Sequence, residues 1–236
     1  MSRLLGVLRD PLLSVVVPVF NEAATIEEII RRVLAVPLRI QLVVVDDGST
    51  DGTRETLQRL QTELGFALVL QAGNQGKGAA LRRGFEQARG DIVAVQDADL
   101  EYSPEEFPML IELICQGRAD VVYGSRFLGR HRVFLFSHYL GNRLLTLLTN
   151  VLYNTMLTDM ETCYKVMRAE EIRSMTLRSN RFGIEPELTA KIFKRGYRVY
   201  EVPITYDGRG YDEGKKIGWR DGLIALWVLV RYRFSE

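Results

Sequence analysis

Apolar runs at 13–20, 41–45, 66–70, 91–96 and 120–124 alternate with helical patterns at 24–35, 53–64, 77–88 and 104–116. Short apolar runs bounded by turn residues read as buried strands, and the amphipathic stretches between them as helices. Their alternation predicts βαβ units and an α/β domain, a mostly parallel sheet flanked by helices. Past residue 125 the rhythm changes. A long, mostly apolar helical stretch covers 133–157, followed by a strand-like segment at 161–168, a helix at 185–195 and a strand at 197–205. Residues 207–218, rich in glycine and charge, read as a flexible loop, and an apolar helix with aromatic and basic residues, over 217–234, ends the chain. No repeat or low-complexity linker interrupts the 236 residues, so the pattern predicts one domain over 1–236.

Three of the predicted strands end in unusual chemistry. The run Ile92-Val93-Ala94-Val95 leads to Asp97-Ala98-Asp99. Two carboxylates two residues apart leave the core together at the carboxyl end of a strand, where α/β sheets bind ligands. Such oxygens suit Mg²⁺ or Mn²⁺ bridged to substrate phosphates, although a turn or a helix cap also explains them. A second run begins at Leu13, stops at Pro18 and leads into Val19-Phe20-Asn21-Glu22. A third, Leu42 to Val45, runs into Asp46-Asp47-Gly48-Ser49-Thr50-Asp51-Gly52, with Asp51 or Thr53 placed to cap the next helix. Gly76-Lys77-Gly78 then opens a helix whose backbone N–H groups and lysine favour phosphate. It lacks the GxxxxGK[ST] spacing of a P-loop, and a helix start with a solvated lysine is its plainer explanation.

Net charge is +1 and 47% of residues are apolar, so there is no polyanion signal and nucleic acid is not an expected partner. Cys115 and Cys163 have neither a CxxC partner nor metal-ligand spacing, which fits a reducing compartment. His131 and His138 lack supporting ligands and read as packing or surface groups. No secretory signal is visible, and the longest late apolar run, Leu223 to Val230, falls far short of the ~20 residues of a spanning helix. A cytoplasmic protein, peripheral at most to a membrane, is the expectation.

Taken together, Val17-Pro18-Val19-Phe20-Asn21-Glu22, Asp46-Asp47-Gly48-Ser49-Thr50-Asp51-Gly52-Thr53, Asn74-Gln75-Gly76-Lys77-Gly78-Ala79-Ala80 and Asp97-Ala98-Asp99 resemble, in order and spacing, the family 2 glycosyltransferases of the GT-A fold. Tyr123-Gly124-Ser125-Arg126, Thr158 to Lys165 and Glu201-Val202-Pro203-Ile204 extend the match and make the chain look like the polyprenyl-phosphate sugar synthases over residues 12–234. The resemblance implies a Rossmann-like sheet, with a nucleotide-sugar half over about 12–125 and an acceptor- and membrane-facing half over about 126–236. It also implies metal-dependent, inverting transfer of a hexose (mannose or glucose) from GDP-mannose or UDP-glucose to a polyprenyl phosphate at the cytoplasmic membrane face.

Within that reading Pro18, Phe20, Glu22, Asp47, Lys77, Asp97, Ala98, Arg209 and Lys215 surround the donor. Phe20 is placed to stack on the base and Glu22 to take ribose hydroxyls; in similar enzymes the residue matching Asp47 accepts from the base edge. Asp97 and Asp99 would hold the metal on the diphosphate, and Arg209 and Lys215 belong to a basic loop that folds over the donor in similar enzymes.

A lipid phosphate is already an anion, so it needs cationic positioning rather than a base. Ser125, Arg126 and Arg143 are the candidates. In similar enzymes the Asp matching Asp159 lies near the sugar or acceptor. Met160-Glu161-Thr162-Cys163-Tyr164-Lys165 departs from the Cys-Thr-Ser-Gly-Phe-Arg-like run of the dolichyl-phosphate mannose synthases, which leaves Glu161 open between base and sugar ligand. Glu185-Pro186-Glu187 reads as a helix start. The stretches 133–157 and 217–234 fit helices lying in a membrane interface, and equally helices packed on the domain or on a second copy in a homodimer. A sugar-hydroxyl acceptor, or a non-catalytic nucleotide-sugar-binding subunit, are the rival functions.

Overall fold

β1 (Leu12–Val19) lies inside a seven-stranded sheet and sets its frame. The computed structural model describes residues 6–133, 135–208 and 219–235, and within them the strand order is β3-β2-β1-β4-β6-β5-β7. β2 is Arg39–Asp46, β3 Ala67–Leu70, β4 Ile92–Val95, β5 Val121–Ser125, β6 Lys165–Arg168 and β7 Val199–Pro203. β1 pairs in parallel with β2 and β4, β2 with β3, and β5 with β7; β6 alone runs antiparallel, between β4 and β5. Val15, Val16 and Val17 of β1 are buried on both faces, as is all of β4, which is why these strands read as unbroken apolar runs.

The helices are α1 (Ile26–Ala35), α2 (Thr53–Leu64), α3 (Lys77–Gln87), α4 (Phe107–Cys115), α5 (Phe136–Tyr153), α6 (Ala169–Arg173), α7 (Ile184–Lys194) and α8 (Trp219–Phe234). Pro104–Glu106 forms a separate 3-10 turn ahead of α4. Gly52, with φ 94°, caps α2, while Asp51 accepts the Thr53 N–H at 3.1 Å from one residue earlier. The strand-like reading of 161–168 shortens to β6 because side chains hold its first half off the ladder. Thr162 Oγ1 donates to the Gly124 carbonyl at 2.6 Å and accepts the Tyr164 N–H at 3.2 Å. The helix read over 133–157 ends at Tyr153; Asn154 turns left-handed at φ 50°, and the Asn150 amide brackets Leu157, accepting its N–H at 2.9 Å and donating to its carbonyl at 2.8 Å.

α8 buries Ala225, Val228, Leu229 and Tyr232 against the domain, where it touches α5 and α7. Both helices keep an apolar stripe outward. On α5 it is Phe136, Leu140, Leu144, Leu147 and Val151, at helical spacing; on α8 it is Leu223, Trp227 and Phe234. No described helix is long and apolar enough to cross a membrane.

Candidate active site

The carboxyl ends of β1, β2 and β4 bring three loops to one edge of the sheet, and short polar side chains tie them together. Asn21 sits in the left-handed region at φ 53°, donates its N–H to Ser49 Oγ at 2.9 Å and accepts the Thr50 N–H at 2.9 Å. Glu22 N donates to Thr53 Oγ1 at 2.9 Å, and Ala23 N to Asp51 at 3.2 Å. Thr25 Oγ1 bonds the Ala98 carbonyl at 2.7 Å and Glu22 Oε2 at 3.1 Å, linking the first loop to the third. Pro18, Phe20 and Glu22 are half-buried on this edge, and Ala98 is buried.

Asp46 is fully buried and forked by Arg54, whose Nε and Nη2 donate at 2.9 and 2.6 Å. Asp47 accepts from Gln71 Nε2 at 2.9 Å, Gln75 N at 2.8 Å and Gly76 N at 2.7 Å. Its carboxylate therefore fastens the entrance of α3, and a base edge would have to compete with those donors. Gly76 takes φ 98°, and a Cβ there would collide with the carbonyl of Asn180. That carbonyl accepts the Ala79 N–H at 3.0 Å. Segment 179–181 thus covers the start of α3. Of the N–H groups in Gly76-Lys77-Gly78 expected to meet phosphate, that of Gly76 is already engaged by Asp47.

The lysine of that turn acts instead through its side chain. Lys77 Nζ stands 2.7 Å from Asp97 Oδ1 and 3.5 Å from Glu185 Oε1, on the first turn of α7. Burial opposes its charge, but Asp97, with Cys163 and Glu185 behind it, holds its pKa well above the ordinary lysine value. Asp97 and Asp99 are both half-buried; Asp99 Oδ1 accepts the Glu101 N–H at 3.2 Å, and Leu100 between them is pushed to φ 62°. A positive φ in leucine is strained and marks a loop held in place by its surroundings. Gln96, fully buried, supplies part of that hold: its amide donates to the Asp97 carbonyl at 3.0 Å and accepts from Tyr164 Oη at 2.6 Å.

Two carboxylates fit a divalent ion that draws its remaining ligands from a diphosphate and water. No group of three or more acidic, histidine or cysteine ligands occurs among the described residues, so a closed protein cage is not built here. Asp97 already balances a cation, Lys77, which is the charge relation a metal would assume.

Arg126, the residue after β5, closes a fork on Asp159. Nε and Nη2 each donate at 2.7 Å, and its own backbone N–H donates at 3.0 Å. Asp159 is fully buried, and both its oxygens accept from Arg126. Ser125 Oγ shares a hydrogen bond of 2.6 Å with Thr158 Oγ1. Glu201 of β7 fixes this corner by accepting the Thr158 and Asp159 N–H groups at 2.9 and 3.2 Å. Arg143 is exposed on α5, 3.4 Å from the Thr158 carbonyl, and Phe127 lies under both guanidiniums, 5.8 Å from that of Arg126 and 5.9 Å from that of Arg143. Tyr206 covers Arg126 at 5.2 Å from ring centre to Cζ.

Glu161 lies within the fields of Lys165, Glu185, Arg126 and Asp159. Burial, partly opposed by Lys165, raises its pKa to about 7. Lys165 has no exposed side-chain surface and is held by Glu185 Oε2 at 2.8 Å.

The fold thus gathers Pro18, Phe20, Glu22, Asp47, Lys77, Asp97, Ala98 and Asp99 at one edge, and Ser125, Arg126, Arg143 and Asp159 at a second cluster. Arg209 and Lys215 lie outside the described residues. Gln96 and Tyr206 were not singled out in the sequence, while Glu185 was read as a helix start and Glu201 as part of the family match. Charges inside apolar strand segments, Lys165 and Glu201, were the available signal.

The family model for glycosyl transferase family 2 matches residues 14–174. An undecaprenyl-phosphate 4-deoxy-4-formamido-L-arabinose transferase of Pseudomonas aeruginosa is 46% identical over 121 residues, 49% of this chain and 35% of that protein. A dolichol-phosphate mannosyltransferase of Pyrococcus furiosus is 31% identical over 211 residues, 87% of this chain and 59% of that protein. The chain therefore spans between a third and three-fifths of these relatives' lengths. Glucosyl-3-phosphoglycerate synthase from Mycobacterium tuberculosis, solved with Mn²⁺, UDP and glucosyl-3-phosphoglycerate, superimposes with a TM-score of 0.74 at 23% identity, covering 94% of this chain and 80% of that one. That likeness establishes the architecture, a GT-A sheet with its antiparallel β6, and the match over 14–174 establishes the lineage: the chain belongs to glycosyl transferase family 2.

Proposed function

We propose that this chain moves a hexose, mannose or glucose, from a nucleoside diphosphate donor (GDP-mannose or UDP-glucose) to a polyprenyl phosphate, with inversion, at the cytoplasmic face of a membrane. The observation that carries the acceptor is the guanidinium of Arg126, buried, clamped by Asp159 and flanked by Ser125 and exposed Arg143. A fixed guanidinium suits a phosphate oxygen, and an anionic nucleophile needs no base. Relatives named for undecaprenyl-phosphate and dolichol-phosphate transfer support the same acceptor.

On the donor side, Asp97 and Asp99 would hold Mg²⁺ or Mn²⁺; solved neighbours that contain Mn²⁺ with UDP-glucose support this. Bound there, the ion supplies Lewis-acid neutralisation of the charge that grows on the departing nucleotide. Lys77, 2.7 Å from Asp97, would contribute a second positive charge to the diphosphate. Phe20 and Glu22, on the stitched first loop, take the base and ribose. Arg126 aligns the acceptor oxygen for attack from the face opposite the leaving group, which gives inversion.

The outward stripes of α5 and α8 support a peripheral position in the interface, with Arg143 on α5 and Arg231 and Arg233 in the last turn of α8. A second reading, transfer to a sugar hydroxyl, draws on Glu161, whose pKa of about 7 suits a base. Transfer assays with polyprenyl phosphate, free polyprenol and an oligosaccharide separate the two: label in the phosphate alone supports the proposal, and label in a hydroxyl acceptor overturns it.

A further inference from the structure

A line of alternating charge runs through the floor of the site: Asp97, Lys77, Glu185, Lys165. It stops short of Glu161. Lys165, the nearest cation to be expected as its partner, is engaged elsewhere, donating to Glu185 at 2.8 Å and to the Thr162 carbonyl at 2.5 Å. Glu161 makes no hydrogen bond among the described residues, and its Oε1 is sealed from solvent with no partner. Buried acceptors are nearly always satisfied, so an orphan carboxyl oxygen in a ligand cleft points to a donor that arrives with the ligand.

Its place identifies that donor. Glu161 lies within the fields of Lys165 and Glu185, which lead to the metal-side carboxylate, and of Arg126 and Asp159, which form the acceptor clamp. In a direct displacement the transferred sugar must lie between the diphosphate it leaves and the phosphate it joins. The groups a sugar presents to its surroundings are hydroxyls, which donate O–H to a carboxylate. A base at this point has no proton to remove from a phosphate nucleophile. An ionised, unpartnered carboxylate would also repel that phosphate and compete with it for Arg126.

We infer that Glu161 is a specificity-determining residue that receives hydroxyl groups of the hexosyl moiety of the donor, so that the sugar, and not only its nucleotide, is read by this chain. The assignment rests on the donor-to-lipid-phosphate reading. Glu185 and Lys165 act as positioning residues, since their mutual pairing keeps Lys165 from quenching Glu161.

Calorimetric titration in Mn²⁺ tests this without turnover. UDP, UDP-glucose, GDP and GDP-mannose are titrated into the parent, Glu161→Ala and Glu161→Gln. The parent is expected to bind one nucleotide sugar more tightly than its free nucleotide. Glu161→Ala should lose that increment, roughly ten- to a hundredfold, with free-nucleotide affinity unchanged, and Glu161→Gln should keep part of it. Deoxy analogues of the preferred sugar should be discriminated by the parent at one or two positions and not by Glu161→Ala. An unchanged ratio of nucleotide-sugar to nucleotide affinity in both variants overturns the inference while the donor reading stands. Failure of the parent to bind either nucleotide overturns the donor reading and the inference with it. Should the alanine variant not fold, the glutamine variant and the deoxy series on the parent decide the case. Variants that bind sugar normally yet lose turnover, with the alkaline or acid limb of the pH profile, would make Glu161 the base instead.

Discussion

Lys77 Nζ is shared between two carboxylates, 2.7 Å from Asp97 and 3.5 Å from Glu185, so the first acidic residue of the β4 loop is already neutralised by a lysine from the start of α3. Were Asp97 to hold a divalent ion, Lys77 would keep Glu185 as a partner for its ammonium. Asp99→Ala should lower transfer by at least a hundredfold, and excess chelator should do the same to the parent and be reversed by Mn²⁺. Full turnover in excess chelator would contradict the metal assignment.

Arg126 and Arg143 separate stability from acceptor binding. Removing Arg126 strands the buried Asp159 carboxylate, so Arg126→Ala should cost about 3–5 kcal/mol of stability as well as acceptor use. Arg143 is exposed, and Arg143→Ala should leave the melting temperature within about a degree while raising the acceptor KM roughly tenfold. Donor KM should not move in Arg143→Ala. An unchanged acceptor KM, or equal losses for donor and acceptor, would remove Arg143 from the acceptor site.

Much of this was readable in the chain. β1, β2 and β4 are apolar on both faces, so their runs stand out, and the acidic loops that follow mark the ligand edge. The second half was less legible. β6 inserts antiparallel between β4 and β5, an order set by long-range pairing that carries no local signal. The role of Asp159 was hidden for the same reason: it lies 33 residues from the Arg126 it holds, and nothing in either neighbourhood announces the fork. Lys165 and Glu185, a buried pair 20 residues apart, read as ordinary charges until the fold brings them together.

Glu161 gives a pH signature in stability. Burial raises its pKa from an ordinary 4.5 to about 7, so folding favours the neutral form. Its contribution is complete below about pH 4.5 and is lost as pH climbs to about 7, where the native state must carry the charge. Glu161→Gln cannot ionise. Its melting temperature should match the parent near pH 4.5 and exceed it above pH 7; thermal melts across that range check the sign. Parallel curves would show that Glu161 is ionised without penalty.

The outward stripes of α5 and α8 should hold the protein to lipid. Leu144 is 65% and Trp227 57% exposed, so a glutamate at either position should leave the melting temperature nearly unchanged. Sedimentation with anionic vesicles should fall about tenfold for Leu144→Glu. If the parent ignores vesicles and instead sediments as a dimer that Leu144→Glu dissociates, the stripe is a contact between copies.

The acceptor is the central claim, and one assay addresses it most directly. The chain is incubated with radiolabelled UDP-glucose or GDP-mannose and Mn²⁺, with undecaprenyl phosphate in one tube and undecaprenol in another. Label extracted into lipid only in the phosphate tube, lost with Asp99→Ala and reduced at limiting lipid with Arg143→Ala, is the predicted result. Equal labelling of the free alcohol, or label appearing only in an added oligosaccharide, would contradict it.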